Sequence, residues 1–173
     1  FSFPKVILLK NFLNFVLQSI LYSLPVSRFH MFRRITLNFL GYQIDSRSTF
    51  EGRSWIYGRG KFSLGADCMI SPGLKVYTTP GTEVHIGRNC YIGHEVMVLT
   101  LSHHVGDSER RAGKTIESSV IIEDGVWIGA RTLLLPGVRV GKGAIIAAGS
   151  VVLDDVEPNK LYAGVPAKNK KTL

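Results

Sequence analysis

Aliphatic residues recur at every sixth position from residue 122 to residue 157. The positions that open successive units of six are Ile122, Ile128, Leu134, Val140, Ile146 and Val152. The fifth position of each unit holds a small or β-branched residue, namely Val126, Thr132, Val138, Ala144, Ser150 or Val156. No helix has a period of six residues, and an amphipathic strand alternates with a period of two. The pattern is typical of a β-helix, in which each hexapeptide repeat is one short strand and a turn.

The hexapeptide period predicts triangular coils, each built from three strands and about eighteen residues. The first position of a hexad points inward and stacks on its equivalent one coil away. The fifth position points inward near a corner, where only a small side chain fits. The period runs more loosely before Ile122, with shifts in register after Ile56 and across residues 77–84. The earlier first positions are Ile44, Phe50, Ile56, Leu64, Ile70, Val76, Ile86, Ile92 and Val98.

The two cysteines fit the same pattern. Cys68 and Cys90 fall on the fifth, inward-facing position of their hexads. Two cysteines give no disulfide framework, and a free cysteine is among the most buried residue types. We interpret both as small core residues rather than as redox or metal-binding groups.

The repeat is interrupted between Val98 and Ile122. Residues 99–121 have no aliphatic period and are rich in polar and charged side chains. A long loop extruded from a rigid coil is often functional. Two of the five histidines lie in this loop, side by side at His103 and His104.

Residues 1–43 have a different pattern. An apolar stretch over residues 6–24 carries a narrow polar stripe at Lys10, Asn14 and Gln18, which predicts a helix with a wide apolar face. A second helix is expected over residues 27–40, with Gly41 as its C-cap. One side of this second helix carries Phe29, Phe32, Ile35 and Phe39, and the other side carries Arg28, Arg33 and Arg34.

Several interpretations of the first helix compete. Its polar stripe and marginal length argue against a membrane span, and no Ala-x-Ala-like cleavage site follows it as in a signal peptide. The helix could lie in a membrane interface with the arginines near anionic headgroups, or it could pack on protein in its own oligomer. Both of these stay open, and peripheral membrane contact would involve residues 5–40.

The composition describes one turn-rich domain with appended ends. The chain has 173 residues, 18 glycines, 45% hydrophobic residues and a formal net charge of +8. The basic residues are scattered or terminal, without the aromatic-interleaved basic patch that binds single-stranded nucleic acid. We therefore expect no nucleic-acid partner. We divide the chain into a helical segment (1–43), a solenoid (44–157) with its loop at 99–121, and a tail (158–173).

Six motifs along the chain resemble those of the hexapeptide-repeat acyltransferases. They are Ile86-Gly-Arg-Asn-Cys-Tyr-Ile-Gly-His94, Thr100-Leu-Ser-His103, Gly125-Val-Trp-Ile-Gly129, Pro136-Gly-Val-Arg-Val-Gly141, Ala148-Gly-Ser-Val-Val152 and Ala163-Gly-Val-Pro-Ala167. Over residues 44–171 the chain is most similar to the branch that holds maltose and galactoside O-acetyltransferases and the O-acetyltransferases of surface polysaccharides. The resemblance implies an all-β solenoid, a left-handed parallel β-helix of hexapeptide repeats, here with an N-terminal helical segment that has no counterpart we can assign.

The resemblance also implies an activity. It points to a homotrimer with sites between adjacent subunits, and to acetyl transfer from acetyl-CoA to a saccharide hydroxyl, as on a capsule, O-antigen or exopolysaccharide precursor. Such an enzyme is cytoplasmic, or peripheral at the inner face of the cell membrane, and needs no metal. His103 falls where the family has its catalytic histidine. A sugar hydroxyl is a poor nucleophile, and a histidine can take its proton during attack on the thioester.

The other site residues follow from the same resemblance, position by position. The expected cofactor-binding residues are Trp127, Gly129, Ala130, Ala148, Gly149, Lys168 and Lys171. The expected substrate-binding residues are Ser71, His104 and Glu109. Ala130 stands where several relatives have serine, and Leu153-Asp154 stands where relatives often have a threonine–lysine pair that contacts phosphate. Lys168 and Lys171 could instead belong to a disordered basic tail.

Other functions stay open beside this one. The acceptor could be an amine, on an amino-sugar nucleotide or a xenobiotic. The chain could also be a non-catalytic solenoid, or a zinc-binding β-helix with three histidine ligands. His85, His94 and His103 are nine residues apart, and this spacing gives neighbours alternate orientations in an eighteen-residue coil, which disfavours zinc.

Overall fold

The computed structural model describes residues 5–173 of the chain. Helix α1 covers Lys5–Ser23 and helix α2 covers His30–Phe39. A parallel β-solenoid of five coils follows, which confirms the predicted left-handed β-helix as the fold class. No helix within residues 5–173 is long and apolar enough to cross a membrane.

The strands are short and are numbered in chain order. The three strands of the successive coils are β1 Gln43–Ile44, β2 Thr49–Phe50 and β3 Trp55–Gly58; β4 Lys61–Leu64, β5 Met69–Ile70 and β6 Lys75–Thr78; β7 Glu83–Ile86, β8 Tyr91–Ile92 and β9 Met97–Leu99; β12 Val120–Ile122, β13 Trp127–Ile128 and β14 Leu133–Leu134; β15 Arg139–Val140, β16 Ile145–Ile146 and β17 Val151–Val152. The strands outside the coils are β10 Leu101–Val105, β11 Ala112–Glu117, β18 Lys160–Ala163 and β19 Lys168–Thr172.

Equivalent strands of successive coils pair in parallel and form three faces. The first face is β1-β4-β7-β12-β15, the second runs from β2 through β5, β8, β13 and β16 to β18, and the third is β3-β6-β9-β14-β17. Ile122 pairs with Val140, which is the offset of 18 residues that three hexads predict. Earlier coils are longer, because Ile44 pairs with Leu64, 20 residues on, and Leu64 pairs with Ile86, 22 residues on. The additional residues lie in turns, so the inward positions stay in register.

The first and fifth positions of the hexads fill the interior, as predicted. Every first-position residue from Ile44 to Val152 is at most 5% exposed. The fifth positions are buried as well, and they include both cysteines, which are free thiols. The backbone N–H of Cys90 donates to the Cys68 sulfur at 3.3 Å, so the two thiols stack on neighbouring coils as core residues.

The predicted loop is an antiparallel β-hairpin. Strand β10 pairs with β11, and His103 lies opposite Thr115. The base of the hairpin is anchored in the solenoid by Thr100, whose buried hydroxyl lies 2.8 Å from that of Thr82 on the preceding coil. The Ser118 N–H returns to the Thr100 carbonyl at 2.9 Å. The hairpin therefore leaves from a fixed point between β9 and β12.

Helix α2 is shorter than expected at its start and ends as expected. It begins at His30 instead of residue 27, because Phe29 adopts a left-handed φ of 65°. At the other end Gly41 has a φ of +96°, and its N–H donates to the Asn38 carbonyl at 3.0 Å. The Tyr42 N–H donates to the Leu37 carbonyl at 3.1 Å. This pair of bonds is the Schellman arrangement that a glycine after the last turn permits.

The two helices close the open end of the first coil with side-chain amides. Strands β1 and β3 are edge strands, so one row of their backbone groups has no neighbouring strand. The Gln18 amide of α1 accepts from the Ile56 N–H and donates to the Ile56 carbonyl, both at 2.8 Å. The Asn38 amide of α2 does the same at Ile44, at 2.8 and 3.0 Å. Each amide takes the place of a residue on a further coil, which protects the edge from pairing with another chain.

A buried arginine holds the linker between the helices. Arg33 is 2% exposed, although it lies on the side of α2 opposite the apolar residues. Its guanidinium donates to the carbonyls of Leu24, Pro25, Val26 and Arg28. Burial lowers the pKa of Arg33, and the negative charge of Glu51 partly opposes this. These bonds hold the linker against α2, and the Gly52 N–H of the first coil donates to the Val26 carbonyl at 3.1 Å.

The chain ends in ordered structure on the last coil. Strand β18 continues the second face by pairing with β16, and β19 folds back on β18. Ala167 at the return is 8% exposed, and its N–H donates to the Val151 carbonyl at 2.8 Å. Lys168 and Lys171 therefore lie in a strand, and the alternative of a disordered basic tail is wrong.

Candidate active site

An apolar groove runs along the second face of the solenoid. Its wall is a column of outward-facing side chains in register, because Tyr91 pairs with Trp127, Trp127 with Ile145, and Ile145 with Leu161. Trp127 is 52% exposed. The groove encloses about 370 Å³ and is bordered on its other side by the corner that leads to the third face.

The corner is narrow because its turns stack closely. A Cβ at Gly129 would lie 2.4 Å from the Ala148 nitrogen, and one at Gly93 would lie 2.7 Å from the Ala130 nitrogen. Main-chain atoms therefore approach each other where any side chain would collide. This accounts for glycine at position 129 through coil stacking, before any ligand is considered. The small Ala130 and Ala148 leave the corner open to a ligand's chain.

The groove brings together most of the predicted cofactor-binding residues. Trp127, Gly129, Ala130 and Ala148 line it. Gly149 follows in the turn, where its φ is +71° and its N–H donates to the Ala130 carbonyl at 2.8 Å. These five positions lie within two neighbouring coils and form one continuous surface.

The two predicted lysines lie at the end of the groove. Lys171 pairs with Leu161, the last residue of the apolar wall. Lys168 lies on the same strand and forms an ion pair with Asp154, with 3.6 Å between the Nζ and Oδ2 atoms. Asp154 stands where the resemblance implies a phosphate-binding residue, and it pairs with a lysine instead. Lys171 forms no ion pair with a carboxylate among residues 5–173.

His103 is held in one tautomer by the hairpin. Its Nδ1 lies 3.0 Å from the Gly113 carbonyl oxygen on the facing strand. A carbonyl can only accept, so this bond requires the proton on Nδ1. The neutral ring then carries its lone pair on Nε2, which is the form a general base needs. The side chain is exposed, so Nε2 is accessible to a second molecule.

His103 does not line the apolar groove of its own chain.

The three predicted substrate residues are also spread apart. Ser71 is 2% exposed at the corner after β5, and its hydroxyl donates to the Tyr91 hydroxyl at 3.3 Å. Ser71 therefore supports a residue of the groove wall. His104 and Glu109 are exposed on the hairpin, and the Glu109 N–H donates to Asp107 at 3.1 Å.

Sequence reasoning missed a second groove on the other side of the same corner. It encloses about 610 Å³ and shares His94 with the apolar groove. Three cationic side chains line it, namely Arg53, Lys75 and Arg131. Arg131 is paired with Glu95 at 2.7 Å and holds the pKa of that carboxyl below its usual range. The signal that could have found the cluster is the coil register, since Trp55, Lys75 and Met97 are paired neighbours on the third face.

The three histidines considered as zinc ligands have different surroundings. The His85 Nδ1 atom lies 2.8 Å from the Ser63 hydroxyl, His94 lines the corner grooves, and His103 is on the hairpin. In the part of the chain from residue 5 onward, no three His, Cys, Asp or Glu side chains form a group that could hold a metal ion.

The repeats match a known family. Residues 119–154 match the family model described as "Bacterial transferase hexapeptide (six repeats)". The predicted resemblance of this hexapeptide-repeat chain to the hexapeptide-repeat acyltransferases is confirmed by the match and by the relatives that follow.

A galactoside O-acetyltransferase from Lactococcus lactis subsp. lactis (strain IL1403) is 36% identical over 126 residues, which are 73% of this chain and 56% of that protein. A hexapeptide-repeat-containing acetyltransferase from Vibrio cholerae O1 biovar eltor, solved in complex with acetyl coenzyme A, superposes with a TM-score of 0.78 at 26% identity. The superposition covers 95% of this chain and 87% of that one. The polySia-specific acetyltransferase NeuO superposes with a TM-score of 0.65 at 30% identity, over 75% of this chain and 60% of that one. The hexapeptide-repeat chain thus spans little more than half the length of its curated galactoside relative.

Proposed function

We propose that the chain is an acetyl-CoA-dependent O-acetyltransferase that acts on a saccharide hydroxyl, in a precursor of a surface polysaccharide. The observation that carries the proposal is the apolar groove, where Trp127, Gly129, Ala130 and Ala148 meet. It is supported by the similarity to an acetyltransferase that was solved with acetyl coenzyme A. Since acetyl-CoA is a cytosolic donor, we place the enzyme in the cytoplasm.

The groove suits the donor along its whole length. The pantetheine arm of acetyl-CoA is narrow and largely apolar, and it fits between the Trp127 column and the alanine-lined corner. Lys171 and Lys168 stand beyond Leu161, where they would meet the nucleotide phosphates. The Asp154 partner weakens the contribution of Lys168, so Lys171 is the stronger phosphate contact.

The hairpin histidine supplies the base. In the proposed reaction, Nε2 of His103 removes the proton from the acceptor hydroxyl, and the hydroxyl oxygen attacks the thioester carbonyl. The tetrahedral intermediate collapses with loss of the coenzyme A thiolate, which recovers the proton from the imidazolium. The new ester and free coenzyme A balance the reaction. A backbone N–H at the corner is the donor available to the oxyanion.

We infer that the site is built from two copies of the chain. His103 is not among the residues that line the apolar groove of its own chain, and its side chain is exposed. We therefore propose the homotrimer that the resemblance implies, with the hairpin of one subunit over the groove of the next. Mixing two inactive variants tests this. His103→Ala lacks the base, and Ala148→Trp fills the groove. Co-refolded mixtures regain activity if sites are shared between copies, and stay inactive if each site belongs to one chain.

The acceptor is proposed to carry negative charge. The second groove adjoins the donor groove through His94 and presents Arg53 and Lys75, beside Arg131, which is already paired with Glu95. Opposite charges attract most where water is partly excluded, so a carboxylate or phosphate on the saccharide would be held beside the donor. The relative NeuO, named for its action on polySia, supports a polysaccharide acceptor.

Two measurements test the proposal in order. A ligand that binds only the folded state raises the melting temperature with the logarithm of its concentration. Acetyl-CoA and free CoA should both raise it for the native chain, and neither should for Ala148→Trp. No shift for the native oligomer would contradict the donor assignment. Transfer is then followed by release of the CoA thiol with saccharide acceptors. A product stable to mild alkali would be an amide, and would favour the N-acetyltransferase alternative over the ester.

A further inference from the structure

The helical pair is folded with its polar side inward. On α1 the amides of Asn14 and Gln18 face the first coil, where they bond Tyr42 and Ile56. On α2 the buried residues are Arg33, Thr36 and Leu37. An ordinary surface helix buries its apolar stripe and exposes its polar face. These two helices expose most of their large apolar side chains, apart from the buried Leu21 and Leu37, and they bury Gln18 and Arg33.

The large apolar side chains that the two helices expose make up what we call the outer face. Its residues are Leu9, Phe12, Phe15, Ile20, Met31, Phe32, Ile35 and Phe39. Phe39 is 73% exposed and Leu9 is 69% exposed, so these are open side chains rather than partly covered ones. A contiguous apolar patch of this kind marks a contact with another molecule or with a membrane.

The charge around the outer face has one sign. Residues 1–44 contain Lys5, Lys10, Arg28, Arg33 and Arg34 and no aspartate or glutamate. Residues 45–173 contain 16 lysines and arginines and 13 acidic residues, so this part is also net positive. A second copy of the chain is net positive in both parts, so net charge favours an anionic partner over a second copy. The complementary partner is an anionic one.

A cationic groove opens from the outer face. It lies between α1, the end of α2 and the turn after β3, and encloses about 530 Å³. Lys10, Arg59 and Lys61 line it, together with Leu13 and Phe39. All three cations are exposed, and none forms an ion pair with a carboxylate among the described residues. The groove thus joins positive charge to the apolar outer face, as an amphipathic anion requires.

We propose that the helical pair docks this chain on an anionic phospholipid bilayer. The outer face lies in the boundary between headgroups and acyl chains, as interfacial amphipathic helices do. In the cationic groove, Lys10, Arg59 and Lys61 bind the phosphate of a lipid headgroup. The acyl chains of that lipid lie along Leu13 and Phe39. The inward hydrogen bonds of Gln18 and Asn38 keep the helices on the solenoid, so the protein binds the bilayer without unfolding.

Co-sedimentation of the purified 173-residue chain with vesicles tests the proposal. The chain should pellet with vesicles that contain phosphatidylglycerol and stay in solution with pure phosphatidylcholine. Each lysine or arginine near an anionic surface strengthens binding several-fold. Arg59→Gln with Lys61→Gln should therefore weaken binding by roughly tenfold or more. Phe12→Ser with Phe39→Ser should also weaken binding, through loss of apolar contact. The matched control, Arg110→Gln with Lys114→Gln, removes the same charge from the hairpin and should leave binding nearly unchanged.

The opposing outcomes are distinct. Absence of binding to phosphatidylglycerol vesicles by the folded chain would overturn the proposal. So would binding that falls equally with the hairpin control, because that is general charge attraction. Light scattering on the same variants covers the remaining case. If Phe12→Ser with Phe39→Ser lowers the oligomer mass and leaves vesicle binding intact, the outer face is a contact between copies, and the proposal is wrong. The four side chains altered outside the hairpin control, Arg59, Lys61, Phe12 and Phe39, are all exposed, so circular dichroism should show the native fold.

Discussion

The side-chain amide of Gln18 forms two hydrogen bonds with one residue, the backbone N–H and carbonyl of Ile56. Both distances are 2.8 Å, and Gln18 is 2% exposed. A glutamine on a helix thus completes the edge of a β-sheet. The bond geometry is that of a strand neighbour, supplied by one side chain.

Replacing Gln18 with methionine should destabilise the chain. Methionine keeps the length of the side chain but leaves the buried Ile56 N–H without its acceptor, which costs about 2 kcal/mol. Urea unfolding measures the change. Gln43→Met is the matched control, because Gln43 is exposed on β1. This variant should unfold at the same urea concentration as the native chain. Equal midpoints for the two variants would show that the amide cap contributes nothing.

Replacing His103 with alanine should reduce turnover and spare donor binding. Loss of a general base lowers kcat by about 10²–10⁴-fold, while the groove residues for acetyl-CoA are untouched. Initial rates over a range of acetyl-CoA concentrations separate the two effects. His85→Ala serves as the control, since His85 contacts Ser63 on the first face. Full activity of His103→Ala would refute the assigned base.

Replacing Trp127 with alanine should weaken CoA binding by about tenfold, because it removes the largest apolar surface of the groove wall. Isothermal titration with CoA gives the dissociation constant. Met69→Ala is a matched change in the same column of outward side chains, since Met69 pairs with Tyr91 below Trp127. Met69 is not among the residues that line the groove, so its variant should bind CoA normally.

Two glycines at the corner should respond differently to alanine. A Cβ at Gly129 would lie 2.4 Å from a backbone nitrogen, so Gly129→Ala forces neighbouring coils apart. This substitution should lower the free energy of unfolding by about 3 kcal/mol. Gly149 has open space around it and only a left-handed φ to maintain, so Gly149→Ala should cost about 1 kcal/mol. Thermal unfolding of both variants measures the difference. The reverse order would contradict the stacking explanation.

Glu123 should make the free energy of unfolding depend on pH in the acidic range. The Lys142 N–H donates to its carboxylate at 2.8 Å and the Arg139 Nε at 2.7 Å, and these bonds hold the pKa of Glu123 below its usual range. The unfolded chain has the ordinary pKa, so the contribution is complete above that value and is lost as the pH falls through the lower folded pKa. Glu123→Gln should cost under about 1 kcal/mol at neutral pH.

The melting temperature of Glu123→Gln, measured from pH 7 down to pH 3, checks the direction. The gap to the native chain should close as the solution becomes acidic. Glu117→Gln on the hairpin is the control, and it should run parallel to the native chain. A gap that widens in acid would show that the sign of the effect is wrong.

The interior of the solenoid could be read from the sequence because it obeys a local rule. One residue in six must be aliphatic and one must be small, and positions such as Ile128 and Ala144 satisfy this without reference to distant parts of the chain. The Tyr91–Trp127 wall is less visible, because the two residues are 36 apart and the hairpin lies between them. Only the paired register brings them together.

The rest of the site and the helical end depend on contacts that the hexapeptide repeat does not predict. The sequence places Gln18 in a polar stripe, but the partner of Gln18 is the backbone of Ile56, and a sequence carries no signal for an unpaired strand edge. His103 lies on the hairpin and is not among the residues that line the groove with Trp127. In the proposed trimer a second chain brings its own His103 to this groove, and the sequence of one chain carries no signal for that contact.

The amide caps of Gln18 and Asn38 also determine where the molecule can change in length. A coil added in front of β1 would meet edges that are already occupied, and would have to displace both helices. A coil inserted between β14 and β15 meets only strands in an 18-residue register, and could be accommodated whole. Lineages of this protein should therefore vary in coil number within the solenoid, while the first coil and its two helices are inherited as one unit.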